Sequence, residues 1–272
     1  SRVLTRDSLM DVLARFIHLD VEENTVVTEK GIKRHSKESM IFPRYHQLDA
    51  VRALTMLRGW DARLAADSAP AALYEILWRD LGQRMLAAIV PEKAKALVDE
   101  IAPSVLLGLL TNPDARLGAN PTTARDAMLD AALAAAWRRA SELLGPDPAA
   151  WRWGKLHQVR IAHPLARIPA IAAAFPVIEG GASGGDSYTV MARWIRGGGW
   201  EVAGGASYLQ AIDVGAWDNS LMLNLPGNSN DPRSPHYRDL YAPWIGGEMK
   251  PMLFSRGAVD ARATTRTRLR PA

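Results

Sequence analysis

His157 and His163 stand on either side of the alternating apolar pair Val159 and Ile161. On a strand this even spacing turns both imidazoles to one face, and two imidazoles on one face can begin a zinc site. A catalytic zinc usually takes three protein ligands. Nothing in the pattern implies a third nearby, so the pair reads as hydrogen-bonded structural histidines and no metal is expected. Ser234, His236 and Asp239 spell out a nucleophile, a base and a carboxylate within one turn-rich stretch. Side chains so close in sequence seldom meet in triad geometry, and the structural reading is preferred. The run Gly180-Gly181-Ala182-Ser183-Gly184-Gly185-Asp186 could cradle an anion through its amides. It has no P-loop Lys and no strand-to-helix frame, so it reads as a connection, either beside a cleft or simply tight. Trp151, Trp153, Trp194, Trp200, Trp217 and Trp244 suit sheet packing and could line an apolar acyl pocket, with core as the default. There is no cysteine, which excludes disulfides, Cys-rich zinc sites and thiol nucleophiles.

These groups need elements to position them. Leu9, Val12, Leu13, Phe16 and Ile17 recur at helical spacing behind Asp7 or Ser8 as caps. Glu22 to Ser39 is polar and reads as a loop or hairpin turning near Lys30-Gly31, and a helical pattern resumes from Tyr45 to Leu57. From Ser68 to Leu144 the chain is rich in Ala and Leu, with Pro70, Pro91, Pro103, Pro113 and Pro121 as punctuation between helices. The longest helix is expected over Met128 to Leu144, after a cap and first turn at Asn120 to Asp126, with Gly145-Pro146 as its stop. After Pro148 the composition shifts to Trp, Gly and β-branched residues. Strands are expected at Leu156–Ala162, Ser187–Trp194, Ser207–Val214 and Ser220–Asn224. Helices first and strands second is an α+β order.

Several phrases of the strand-rich part occur together and in order: Trp153-Gly154-Lys155-Leu156-His157-Gln158, His163-Pro164-Leu165, Gly184-Gly185-Asp186-Ser187-Tyr188, Gly205-Ala206-Ser207-Tyr208, Pro226-Gly227-Asn228-Ser229, Ser234-Pro235-His236-Tyr237-Arg238-Asp239 and Trp244. Each is weak alone. The ordered set resembles the C-terminal end of the β chain of penicillin acylases, which are N-terminal-nucleophile hydrolases. Leu57-Arg58-Gly59-Trp60-Asp61 and the helices to Leu144 are similar to the preceding segment of that family, so the resemblance covers residues 55–272.

The resemblance implies a partial αββα fold and hydrolysis of an acyl amide. In that family a Ser hydroxyl at the start of the processed β chain attacks, its own α-amine takes the proton, and backbone and Asn donors hold the oxyanion. Ser1 is first here and is the candidate nucleophile by position, but Arg2-Val3-Leu4-Thr5-Arg6 does not resemble the family's start. No counterpart of the oxyanion Asn, the catalytic Arg or the calcium ligands is found, so no catalytic residue is transferred and no cofactor is expected. The chain is expected to be a fragment, inactive alone.

Residues 1–54 resemble something else. Leu9 to Ile17, Phe42-Pro43-Arg44-Tyr45-His46-Gln47 and Ala50-Val51-Arg52 look like the segment before the ATPase motor of a type I restriction enzyme R subunit, where the Gln would contact adenine. No Gly-Lys-Ser/Thr phosphate loop follows. Gln47 is thus expected to be an ordinary helix residue, and the chain a composite joined near Ala53 to Met56.

Composition sets the remaining bounds. With 48% hydrophobic residues in 272, a sizeable core is expected. Lys plus Arg number 33 against 29 Asp plus Glu, a surplus too small for a nucleic-acid stripe. Its local excess, Arg256, Arg262, Arg266, Arg268 and Arg270 opposed by Asp260, reads as a solvated, frayed end. No apolar run is long enough to span a membrane, and Ser1 to Asp7 has no signal-peptide core. A start without Met is expected of a processing or fragment boundary. The acylase resemblance implies a periplasmic or extracellular site and a small acyl-amide substrate. Residues 55–147 are expected to be helical and 148–272 strand-rich, and an exposed apolar face would favour self-association.

Overall fold

The computed structural model describes residues 21–28, 31–38, 45–195 and 198–269. It is α+β, with a helical first half followed by small sheets. The chain divides into two compact units, one of residues 1–63 and 68–152, the other of 64–67 and 153–272. The expected helix over Leu9 to Ile17, Ser1 and Arg270 lie outside the described residues.

The first unit opens on an antiparallel hairpin, β1 (Val21–Thr28) and β2 (Gly31–Glu38), whose register closes at Thr28 opposite Gly31. The expected turn near Lys30-Gly31 falls partly outside the described residues. Four helices follow: α1 (Tyr45–Arg58), α2 (Ala69–Ile89), α3 (Pro103–Thr111) and α4 (Pro121–Leu144). Pro lies in the first turn of α2, α3 and α4, where a missing N–H costs nothing because that donor has no partner inside the helix. Ser68 caps α2, its hydroxyl accepting from the Ala71 amide at 3.2 Å. At the far end of α4, Gly145 takes φ +98, a left-handed value that stops the helix without a Cβ clash. Trp151 then donates its indole N–H to the Gly145 carbonyl at 2.8 Å and fixes the exit.

Helix α4 packs on both α1 and α2. Ala132, Ala136 and Ala140, four apart on one face, are fully buried and let the helices approach closely, while Leu129 and Leu133 fill the space with Leu73, Leu77 and Leu81 of α2. Each such Leu is worth about 1.5–3 kcal/mol over its exposed state. Helix α1 runs through residues 53–56 without a break, with Ala53, Leu54 and Leu57 buried.

In the second unit, α5 (Trp153–Leu156) leads into a four-stranded sheet in the order β4 (Ile178–Ala182), β3 (Gln158–Ile161), β6 (Val202–Gly205), β5 (Arg193–Ile195). Pairing is antiparallel except between β3 and β6. A three-stranded antiparallel sheet follows, β7 (Tyr208–Ala211), β8 (Leu221–Asn224) and β9 (Lys250–Pro251), with α6 (Tyr241–Gly246) before β9 and α7 (Arg256–Arg262) after it. Val159, Val202, Leu223, Leu240 and Trp244 make the core of this unit.

Three expectations need correction. The strand expected from Leu156 begins only at Gln158, because the His157 amide bonds back to the Trp153 carbonyl at 2.9 Å and closes a helical turn first. The strand expected from Ser187 begins only at Arg193. Asp186 Oδ1 accepts the amides of Tyr188 and Thr189 at 2.8 and 2.9 Å, which curls that stretch into bends. The tail is not wholly frayed. Residues 256–262 form α7, capped by Ser255, and Arg256 and Arg266 both pair with Asp260.

Candidate functional site

Three of the buried polar residues form a knot in the second unit. His157, Ser183 and Arg193 are at most 4% exposed although their side chains are polar or charged. His157 sits where α5 turns into β3, Ser183 just past β4, and Arg193 at the start of β5. Arg193 Nη1 donates to Ser183 Oγ at 2.7 Å and Nη2 to the Trp244 carbonyl at 3.1 Å. Its guanidinium carbon lies 4.1 Å from the Trp244 ring centroid. His157 Nδ1 is 3.2 Å from the Ser183 carbonyl oxygen and Nε2 3.0 Å from that of Arg193. A neutral imidazole has one N–H and donates to one of the two. Trp153 stacks on the ring at 4.6 Å. Burial lowers the His157 pKa and outweighs the raising effect of the contacts with the Ser183 and Arg193 backbone; the Arg193 charge adds a smaller lowering. Burial likewise pushes the Tyr241 hydroxyl up, where it lies against Gly181.

The knot brings distant segments together but presents no nucleophile to solvent. It explains why His157 and His163 share no site. His157 is enclosed, while His163 Nδ1 accepts the Leu165 amide at 3.1 Å and its ring stacks on Phe175 at 4.5 Å. No group of three or more His, Asp and Glu side chains is placed to hold a metal among the described residues.

Of the Ser234, His236 and Asp239 set, the fold unites two members. His236 Nδ1 meets Asp239 Oδ2 at 2.9 Å, which holds that carboxyl below its ordinary range. Ser234 Oγ instead accepts the backbone amide of His236 at 3.1 Å. The hydroxyl therefore caps the turn rather than serving the ring. The glycine run also resolves differently from a cradle: Gly180, Gly181 and Ala182 belong to β4, and the Gly185 amide donates to the Leu64 carbonyl at 2.7 Å. Among the tryptophans, Trp151, Trp153 and Trp244 are core, whereas Trp194 and Trp217 are exposed.

A groove of about 490 Å³ lies along Lys155, Arg160, Trp200, Glu201 and Val202. Its volume is in the small-molecule range, but Glu201 offsets one of the two cations and the lining specifies no ligand class. Neither groove nor knot was legible beforehand, since their members are scattered over residues 153–244 with no local motif.

The sequence profile of the penicillin amidase family matches residues 4–261. The chain belongs to the penicillin amidase family. The match includes the hairpin and α1, so it runs across residues 53–56. Among relatives within this family, Penicillin acylase 2 proenzyme of Pseudomonas sp. (strain SE83) is 35% identical over 228 residues, which are 79% of this chain and 28% of that protein. Acyl-homoserine lactone acylase QuiP of Pseudomonas syringae pv. tomato is 30% identical over 248 residues, 82% of this chain and 29% of that protein. The QuiP of Pseudomonas fluorescens (strain Pf-5) is 26% identical over 275 residues, 91% and 33% respectively. This member of the penicillin amidase family thus spans about a third or less of the length of the curated relatives it matches.

Proposed function

We propose that this chain is the C-terminal scaffold portion of an N-terminal-nucleophile amide hydrolase and does not hydrolyse amides unaided. What supports this most is its span: it aligns with only 28% of the penicillin acylase relative and 29% of the QuiP relative. Supporting it further, the Ser, His and Asp set with the right residue types has its hydroxyl on a backbone amide. The buried knot is a fastening rather than a site of attack. Acyl amides of the kinds named by the relatives, penicillins and acyl-homoserine lactones, are the substrate class of the completed enzyme.

The test is to incubate the purified chain with an acylated amino-β-lactam and with an acyl-homoserine lactone and follow amine release. No release is expected. Turnover by the chain alone, abolished by Ser1→Ala, would sink the reading.

A composite origin of residues 1–54 is a separate proposal, resting on the Tyr45-His46-Gln47 phrase. Genomic and transcript sequence across Ala53 to Met56 decides it. A single uninterrupted acylase gene there would end it.

A further inference from the structure

The formal charge of the chain is concentrated in one short stretch. Residues 1–255 hold 28 Lys and Arg against 28 Asp and Glu, while residues 256–272 hold five Arg against one Asp. The whole surplus of +4 therefore stands in the last 17 residues. Arg256, Arg262, Arg266 and Arg268 are all exposed. The single acid of the stretch, Asp260, is shared by Arg256 at 2.9 Å and Arg266 at 3.1 Å. Its root is fastened to the second unit. The Asp218 carboxylate accepts the amides of Phe254 and Ser255, both at 2.8 Å, and Ser255 Oγ accepts the Ala258 amide at 3.2 Å. Four of the five arginines, from Arg262 on, lie beyond residue 261, where the match to the penicillin amidase profile ends.

Arginines clustered on a chain otherwise balanced in charge select an anionic partner, and the side chains around them select among anions. Guanidinium groups suit phosphate, whose oxygens they take two at a time. Between Ser255 and Ala272 there is no aromatic ring to stack on a base and no Asn or Gln to read a base edge. Apolar side chains stand there instead: Leu269, between Arg268 and Arg270, is 90% exposed and Val259 44%. An anionic bilayer offers such side chains an acyl boundary beneath its phosphate layer, whereas a nucleic acid offers them little. We propose that residues 256–270 bind the surface of an anionic phospholipid bilayer, with the arginines on the phosphates and Leu269 below them. No helix among the described residues is long and apolar enough to cross a membrane, so the attachment proposed is to the surface. It is independent of the amide-hydrolase reading.

Purified full-length chain would be sedimented with phosphatidylcholine vesicles and with vesicles that also hold about 30% phosphatidylglycerol, an anionic lipid. The anionic vesicles should retain it at about 0.1 M salt and release it at about 1 M, where the screening length falls from about 10 to about 3 Å. The neutral vesicles should not retain it. Each arginine near an anionic surface strengthens binding about fivefold. Arg262→Gln, Arg266→Gln, Arg268→Gln and Arg270→Gln combined should therefore weaken it about a hundredfold or more, and Leu269→Ser alone about threefold or more. Urea midpoints of both variants should barely move, because the substituted side chains are exposed and the one ion pair lost is a surface pair. Four results overturn the proposal: wild-type chain sediments no better with anionic than with neutral vesicles, the quadruple variant binds as well as wild type, Leu269→Ser leaves binding unchanged, or a DNA duplex binds the chain more tightly than the anionic vesicles do at the same salt.

Discussion

Arg193 reaches Trp244 twice, laying its guanidinium carbon 4.1 Å from the ring centroid and donating to the same residue's carbonyl oxygen at 3.1 Å. One side chain thereby ties β5 to α6 by charge, ring contact and hydrogen bond. Arg193→Ala should destabilise the protein by about 3 kcal/mol or more, since charge-assisted bonds and a desolvated cation–ring contact are lost together. Arg193→Lys keeps the charge but not the flat two-pronged fork, and should cost about 1–3 kcal/mol. Urea midpoints measure both. A Lys variant as stable as wild type would mean that the fork geometry contributes nothing.

His157 makes stability depend on acidity. Its pKa lies below the ordinary 6.5, chiefly through burial. The unfolded chain therefore takes up a proton that the folded chain resists. The contribution of neutral His157 is full above about pH 6.5 and is lost as pH falls below it, at up to about 1.4 kcal/mol per pH unit. His157→Gln should be less stable at neutral pH but should show a flatter profile from about pH 7 to 5. Parallel profiles in the two proteins would refute this assignment.

Gly184 is fixed by close approach. A Cβ there would come within 2.6 Å of the Leu64 carbonyl oxygen, a backbone atom that cannot swing aside. Gly184→Ala should cost about 1–3 kcal/mol as overpacking. Gly257, which has nothing within 4 Å and lies exposed in α7, is the control. Gly257→Ala should be neutral or stabilising by up to about 1 kcal/mol. Thermal melts of the pair decide, and equal behaviour would disprove the crowding.

Ser234→Ala should remove only a turn cap, at under about 1 kcal/mol. In a complemented enzyme it should leave the rate of amide hydrolysis unchanged. A large fall in kcat with normal folding would show that the hydroxyl does chemistry after all.

Much of the helical unit was legible in the sequence, because its signals are local. Pro70, Pro103 and Pro121 mark starts and Gly145 marks a stop. The strand half was read less well, for reasons that can be named. β4 contains Gly180 and Gly181 and so looks like a loop. A Cβ at Gly181 would meet the Tyr241 hydroxyl at 2.5 Å and Ile245 Cδ1 at 2.7 Å, both from α6, so a larger residue there would force those side chains to shift. The bends after Asp186 defeat a run that alternates like a strand. The polar knot was invisible because its hydrogen bonds join residues up to 51 positions apart. The family resemblance rested on the phrases that build these turns and fastenings, which is why it pointed to ancestry and gave no catalytic residue.

Leu64 to Asp67 belong to the second unit although helical residues of the first precede and follow them. Ala66 accepts the Gly154 amide at 2.7 Å and Leu64 that of Gly185, also at 2.7 Å. A polypeptide begun at Trp153 would leave both amides without their acceptors. Neither half can therefore be excised intact by one cut of the chain, and a protease nick between residues 152 and 153 should leave the strand-rich half still holding a peptide from the other side of the break. The two units are threaded through one another in sequence, so gene truncations guided by the composition change near Pro148 would divide a structural unit rather than isolate one.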